Sequence, residues 1–272
     1  MIFAISDIHA HYDAMKMRID QIRPYLNNEA NQLIMLGDFI DRGPASYECL
    51  QLAFNLQQEY GSDKVIVLRG NHEEWFLDFI YDVGDEWLAE DDNYRTSGTF
   101  LFDEQKKILS NLYGREEILT YIKDCIKSNH KQLIQWVKKL PYYYETPTQI
   151  FVHAGVDEEI PEEEIEYCTL GTPEYVFTGK FPPTTGRFYK DIIAGHVAAA
   201  SFKHDFRTND IFFDGESHFY IDGSTAKTRR ILCLVYDEKT KKYFELEEDG
   251  TTREIRRIKD DVRRLYEKYS NK

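Results

Sequence analysis

The stretch Leu33-Ile34-Met35-Leu36-Gly37-Asp38-Phe39-Ile40-Asp41-Arg42-Gly43-Pro44 decides how this chain is read. Four consecutive apolar residues without polar alternation describe a strand covered on both faces, as in a parallel sheet. A loop bounded by glycines follows, and Tyr47–Tyr60 then reads as a helix. The same order recurs on either side. Ile2–Ile5 is an apolar run ending at Ser6-Asp7, after which Tyr12, Met15, Ile19 and Ile22 keep helical spacing until Pro24 stops them. Val65–Leu68 leads into the loop Arg69–His72 and a helix from about Glu73. Three strand–loop–helix units in succession predict parallel strands joined by right-handed crossovers.

Beyond these units the pattern changes. Residues from about 84 to 140 lose the strand signal and carry Trp, Tyr and Leu at loose helical spacing, ending in Leu133, Trp136, Val137 and Leu140 before Pro141; this predicts a helical insertion. Ile150–Val152 and Asp191–Ala194 resume the strands. After residue 210 the runs Ile211–Phe213, Phe219–Ile221, Ile231–Tyr236 and Tyr243–Leu246, divided by turn-rich pieces, read as antiparallel. Ile255, Ile258, Val262 and Leu265 predict a charged helix over about 252–270. With no repeat, low-complexity tract or linker, residues 1–272 are expected to form one domain.

The net charge of −14 leaves no basic footprint for duplex nucleic acid. Four widely separated cysteines (Cys49, Cys125, Cys168, Cys233) form no CxxC pair, which fits reduced thiols rather than a disulfide framework or a thiolate metal site. The N-terminus has no basic region or long apolar run of a signal peptide, and no stretch approaches the ~20 apolar residues of a membrane span. A cytoplasmic location without membrane contact is the expectation.

The chemistry lies at the strand ends. Asp7 and His9 follow the first strand as SDIH, and Asp38, Asp41 and Arg42 follow the second as GDFIDRG. Asn71, His72 and Glu73 follow the third as GNHE, while His153 and His196 follow later strands as VHAG and AGHV. Any one of these alone reads more simply as a turn former, a helix cap or a core histidine. Five such clusters at five strand ends place their side chains on one rim, where ligand sites of parallel sheets assemble. Carboxylate, amide and imidazole donors converging there suit Mn, Fe or Zn, and nothing in the set selects among them.

In order and spacing these motifs resemble those of the calcineurin-like metallophosphoesterases, in particular the phosphoprotein phosphatase group. That group includes bacterial and phage serine/threonine phosphatases and symmetrical diadenosine-tetraphosphate hydrolases. The family pattern GDxHG, GDxxDRG, GNHE, HxG and GH is matched by SDIHA, GDFIDRG, GNHEE, HAG and GHV, from Ile2 to about Gly223. The resemblance implies an α/β fold, a four-layer α/β/β/α sandwich of two mixed sheets. It implies two metal ions bridged by Asp38, one completed by Asp7 and His9, the other by Asn71, His153 and His196. Arg42 would bind phosphate oxygens, with Asn71 also at the substrate. His72 would be the general acid, oriented by Asp41, and Glu73 is read as structural.

The chain departs from the family at Ser6 and Ala10, where the pattern has glycine, and in lacking an arginine over Glu174–Lys180, where a second phosphate ligand is expected. Lys180 and Arg187 are the candidates to replace it, unless both are surface residues. The aromatic residues Tyr142–Tyr144, Trp75, Trp87 and Trp136 read as packing in preference to a base-stacking platform. The implied activity is hydrolysis of phosphomonoesters by metal-activated water, with phosphorylated protein as substrate. Dinucleoside polyphosphate hydrolysis is the alternative, and a metal-binding regulatory scaffold is the reading from another class. Oligomeric state is not legible.

Overall fold

The computed structural model describes residues 1–84, 86–89, 91, 94–203 and 209–256. The apolar runs at Ile2–Ile5 (β1), Gln32–Met35 (β2) and Val65–Val67 (β3) pair in parallel, β1 with β2 and β2 with β3. Between them run the helices Tyr12–Leu26 (α1) and Ser46–Tyr60 (α2), and Asn71–Tyr81 (α3) follows β3. Pro24 lies inside the last turn of α1, so the helix outlasts the sequence expectation by a few residues. There, proline removes only a terminal hydrogen bond of the helix.

A second sheet contains Tyr143–Glu145 (β4), Gln149–Val152 (β5), Asp191–Ala198 (β6), Phe212–Phe213 (β7) and His218–Asp222 (β8), in the order β4-β5-β6-β8-β7. The chain then returns to the first sheet with Leu234–Asp237 (β9), Lys242–Leu246 (β10) and Thr252–Ile255 (β11), giving β11-β10-β9-β1-β2-β3. Both sheets are mixed. The region after 210 is antiparallel as expected except at β8, which lies parallel to β6.

Strand alternation shows why four layers form. Phe3, Ile5, Leu33 and Met35 face α1 and α2, while Ile2, Ala4, Ile34 and Leu36 face Phe151, Ile193, Phe219 and Ile221 of the other sheet. Ile150, Val152, Ile192 and Tyr220 face outward onto the short helices Cys168–Gly171 and Glu174–Gly179. Each sheet buries both faces, as the unalternating apolar runs require.

The insertion is helical: Asp103–Leu109 (α4) lies on Arg115–Asn129 (α5), which packs beside α3, and Lys131–Val137 (α6) packs beside α2 and α3. One expectation is corrected. Residues 252–255 form β11, paired with β10 from Tyr243↔Ile255 to Leu246↔Thr252, where a helix over about 252–270 was expected. Arg253 and Ile255 have the spacing of a strand as well as of a helix, and the open edge of β10 offers hydrogen bonds that a surface helix would not. The rest of that predicted helix, from residue 257, lies outside the described residues. Among the described residues, no helix is long and apolar enough to cross a membrane.

Candidate metal centre

The turns that follow β1 and β2, and the bulged part of β6, share an unusual backbone. Asp7, His9, Ala10, Asp38, Asp41, Arg42 and His196 all have φ between 46° and 68°, the left-handed region that residues other than glycine rarely enter. Hydrogen bonds between turns hold them there: Asp7 N–H to Gly37 O (3.2 Å), His9 N–H to Asp38 O (2.9 Å) and Ala10 N–H to Phe39 O (2.8 Å). Glycine is required where the backbones meet. A methyl group at Gly70 would overlap the Asp38 carboxylate, and one at Gly195 would overlap Ser6 and Asp7. At His196 a register shift in the β6–β8 pairing, between Ala194 and Ala198, turns the strand toward the rim.

All six expected metal ligands converge there. Asp38 Oδ1 lies 3.4 Å from His153 Nε2, and Oδ2 lies 3.7 Å from His9 Nε2, so its two oxygens face two imidazole groups. Asp7 Oδ1 is 3.9 Å from His9 Nε2 and its other oxygen accepts the His196 N–H at 3.0 Å. Asn71 Oδ1 stands between His153 Nε2 (3.0 Å) and His196 Nδ1 (3.1 Å). Two sets, His9–Asp38–His72 and Asp38–His153–His196, bring a donor atom from each member within 4.8 Å of one another.

The residues fit a pair of cations. His153 Nδ1 donates to Leu36 O at 3.0 Å and His9 Nδ1 to Ile40 O at 3.2 Å, which turns the Nε2 atom of each ring toward Asp38. A ligating histidine is fixed in this way, through its other nitrogen. Burial, helped by the nearby Arg42 guanidinium, holds His9 down to about 3, so its imidazole is neutral. Burial likewise lowers His196 to about 4. At Asp38 burial opposes the charge, but the surrounding imidazoles hold its carboxyl well below the usual range. His153 is the reciprocal case: burial opposes its charge, yet the Asp38 carboxylate lifts it to about 10. Burial raises Asp7.

His72 occupies a different position. Its Nδ1 donates to Asp41 Oδ2 at 2.6 Å, while Nε2 is buried, unpartnered and 3.8 Å from Asp38 Oδ2. Burial works against its protonation, but the Asp38 and Asp41 carboxylates outweigh that and raise its pKa. Asp41 is held by the Trp87 indole N–H at 3.0 Å, and its own N–H donates to Ser46 Oγ at 3.1 Å. Arg42 is exposed and donates from Nη1 to His9 Nε2 at 2.8 Å. Asp41 therefore serves His72 and Trp87, and Arg42 is left to reach the rim.

Glu73 accepts the N–H groups of Asp38 (2.8 Å), Phe39 (2.8 Å) and Gly70 (3.0 Å), consistent with its structural reading. Burial and the Asp38 carboxylate lift it to about 7. Neither candidate for the missing arginine offers a free cation at the metal ligands, although the Lys180 stem lies against Gly155 of the HAG motif. Lys180 Nζ is spent on Val156 O (2.5 Å), Glu158 (2.8 Å) and Thr184 (3.1 Å). Arg187 stands beside Thr148 and Asp191, at the opposite ends of β5 and β6. The aromatic residues pack: Tyr143 stacks on Phe177 at 5.1 Å, Trp136 donates to Gln57, and Trp75 lies against the His72 ring at 4.7 Å.

The sequence reading omitted Asp222. This buried carboxyl ends β8, and burial together with Asp7 raises its pKa well above the ordinary value. Its signal was available, because Phe219–Ile221 followed by Asp222-Gly223 repeats the strand-then-acid pattern of Asp7 and Asp38.

A family model described as calcineurin-like phosphoesterase matches residues 1–197. Serine/threonine-protein phosphatase 2 of Escherichia coli (strain K12) is 33% identical over 103 residues, covering 38% of this chain and 40% of that protein. The symmetrical bis(5'-nucleosyl)-tetraphosphatase of Wigglesworthia glossinidia brevipalpis is 29% identical over 156 residues, covering 57% of this chain and 44% of that protein. The chain thus spans less than half the length of these two curated relatives. Among solved structures, a cold-active protein-tyrosine phosphatase from a psychrophilic Shewanella species has a TM-score of 0.59 at 17% identity. That likeness covers 94% of this chain and 80% of the other, and it shows a shared fold.

Proposed function

Because this chain belongs to the calcineurin-like phosphoesterase family, we propose that it is a dinuclear metal-dependent phosphoric ester hydrolase acting on phosphomonoesters. Phosphoserine and phosphothreonine in proteins are the proposed substrates. The observation that carries this reading is Asp38, whose two oxygens face His153 at 3.4 Å and His9 at 3.7 Å. Asp7, His9 and Asp38 would hold one cation; Asp38, Asn71, His153 and His196 would hold the other. Two such ions supply Lewis acidity toward phosphoryl oxygens and make water nucleophilic near neutral pH.

The protein's own groups do the rest. Arg42, free of Asp41, would grip phosphate oxygens through its planar fork and orient the ester, with Asn71 beside it. His72 would carry the proton on Nε2, the atom without a partner, and give it to the leaving oxygen. Asp41, fixed by Trp87, keeps that imidazole oriented and favours its charged form. Asp222 adds a further buried carboxyl to the rim and is proposed to hold solvent or a ligand near Asp7.

The test is turnover of an aryl phosphate by protein loaded with Mn, Fe or Zn, beside Asp38→Asn. Wild type should turn over, and the variant should lose both activity and half or more of its bound metal. An inert, fully metal-loaded wild type would overturn the reading and favour a metal-binding scaffold. A second reading, dinucleoside polyphosphate hydrolysis, is favoured by the engagement of Lys180 and the remoteness of Arg187, since neither supplies the second cation expected of a monoester phosphatase. Relative kcat/KM on phosphopeptides and dinucleoside polyphosphates separates the two. A single domain over 1–272 in the cytoplasm, acting on a phosphorylated protein or nucleotide, completes the proposal.

A further inference from the structure

Beside the loop that carries Arg42, a groove of about 710 Å³ opens at the first turn of α1 and the start of α2. Its volume is within the range of small-molecule sites, roughly 300–1,000 Å³. His11 lines it and is 7% exposed; its Nδ1 donates to His9 O at 2.5 Å, and its Nε2 is buried with no partner. Pro44 and Ala45 form a wall two residues on from Arg42, and the Ala45 N–H donates to Ala10 O at 3.1 Å. Arg95, from the helical segment, and Arg229, from the turn beyond β8, complete the lining. Both arginines are exposed, and among the described residues neither makes an ion pair or a side-chain hydrogen bond. α1 has no side-chain cap, which leaves the N–H groups of its first turn and its positive dipole end open, whereas at the start of α2 the Tyr47 N–H donates to Thr99 Oγ1 at 3.1 Å.

The geometry points to a second anion subsite in this groove, taking a further phosphate or carboxylate of a substrate whose scissile phosphate lies at Arg42. The assignment rests on the phosphoesterase reading and names the substrate class: phosphate esters or anhydrides bearing one additional anionic group. Two guanidinium groups and the open start of α1 are the donors such a group requires. His11, with Nδ1–H committed to a carbonyl, presents an acceptor on Nε2 for an N–H or O–H of the same ligand. Asp13, Glu48 and Glu248 stand on the same walls. These three carboxylates outnumber the two arginines, so the subsite takes one compact anion by placement of donors and not a long polyanion by charge. This supplies the second phosphate-side cation that Lys180 and Arg187 do not.

The experiment compares kcat/KM for p-nitrophenyl phosphate with that for carboxyphenyl phosphate, a dinucleoside polyphosphate, and phosphopeptides with Asp or Asn beside the phosphoserine. Wild type and the double variant Arg95→Ala/Arg229→Ala are measured. The ratio of doubly to singly anionic substrate should fall by about tenfold or more in the variant, through KM, as expected when charged hydrogen bonds are removed. Loss in the nucleotide arm alone identifies phosphate as the second anion, and loss in the Asp peptide arm alone identifies carboxylate. An unchanged ratio in every arm overturns the subsite. If wild type hydrolyses none of these substrates, the phosphoesterase reading has failed, and calorimetric titration with inorganic pyrophosphate decides the subsite separately. Binding at least fivefold weaker in the variant then supports it, and equal binding removes it.

Discussion

Glu73→Ala should be among the most damaging single changes in this protein, although Glu73 touches neither substrate nor metal in the proposed mechanism. The side chain is fully buried and accepts three backbone N–H groups, from Asp38 and Phe39 at 2.8 Å and from Gly70 at 3.0 Å. Truncation orphans three buried donors, each costing about 1–3 kcal/mol. Water entering the cavity recovers part of that, so the net loss should be on the order of 3–5 kcal/mol. Glu73→Gln should cost less. Its carbonyl keeps two of the three bonds, and the change removes a charge that burial and Asp38 already disfavour, as the lift to about 7 shows. Because the lost bonds hold the Asp38 turn, metal affinity should fall about 10–100-fold in Glu73→Ala. Urea denaturation with and without added Mn²⁺, followed by a metal titration, measures both effects. A Glu73→Ala protein within about 1 kcal/mol of wild type, with unchanged metal affinity, would refute the reasoning.

Ala10 sits at φ 57° and is fully buried, where the family pattern has glycine. Relief of left-handed strain, about 1–2 kcal/mol, less the entropy gained by the unfolded chain, about 0.4–1 kcal/mol, makes Ala10→Gly neutral to slightly stabilising; Ala10→Val should lose more than about 2 kcal/mol by the same denaturation assay. His218 lies between Asp214 (3.1 Å) and Glu158 (3.0 Å); burial opposes its charge, but the two carboxylates raise it from 6.5 to about 9. Its folded pKa is the higher one, so the stabilisation, on the order of 2–3 kcal/mol, is complete below pH 6.5 and disappears as pH rises through about 9. Midpoints of urea unfolding from pH 6 to 10 should follow that loss, and His218→Gln should flatten it; equal slopes in both proteins would remove the assignment. His72→Asn should lower kcat/KM by about 10²–10⁴-fold on alkyl phosphates and far less on p-nitrophenyl phosphate, whose leaving group needs no proton. An equal loss on both substrates would mean that His72 does not donate it.

The sequence exposed the parts of this protein that depend on residue type and order. Unalternating runs gave β1, β2 and β3 because a strand buried on both faces leaves no room for polar alternation, and their acid-bearing ends gave the ligands. Features that depend on distant partners were hidden. β4 is built from Tyr143–Glu145, which has no apolar run and becomes a strand because the edge of β5 offers it hydrogen bonds. Residues 252–255 have the same history against β10. Lys180 is near the motifs in sequence, but only the fold shows it captured by Glu158. Asp222 was legible by position, because it ends an apolar run as Asp7 and Asp38 do, although its motif neighbours are unlike theirs.

Seven left-handed residues, six in the site's turns and His196 in β6, would each cost about 1–3 kcal/mol in isolation. They persist because the turns after β1 and β2 are bonded to each other, at Asp7 to Gly37, His9 to Asp38 and Ala10 to Phe39, so neither can relax alone. Asp38 ties that pair to the third turn by accepting the His72 N–H at 3.2 Å, and Asp7 ties it to β6 by accepting the His196 N–H. The ligands of both proposed cations are thus positioned by one interlocked backbone rather than by five separate loops. It follows that the buried carboxyls Asp7, Asp38 and Asp222, which raise one another's cost of ionising in different degrees, are held at separations they would not choose. Positive charge from bound cations is the one ligand chemistry that would turn this enforced proximity from a cost into a source of stability.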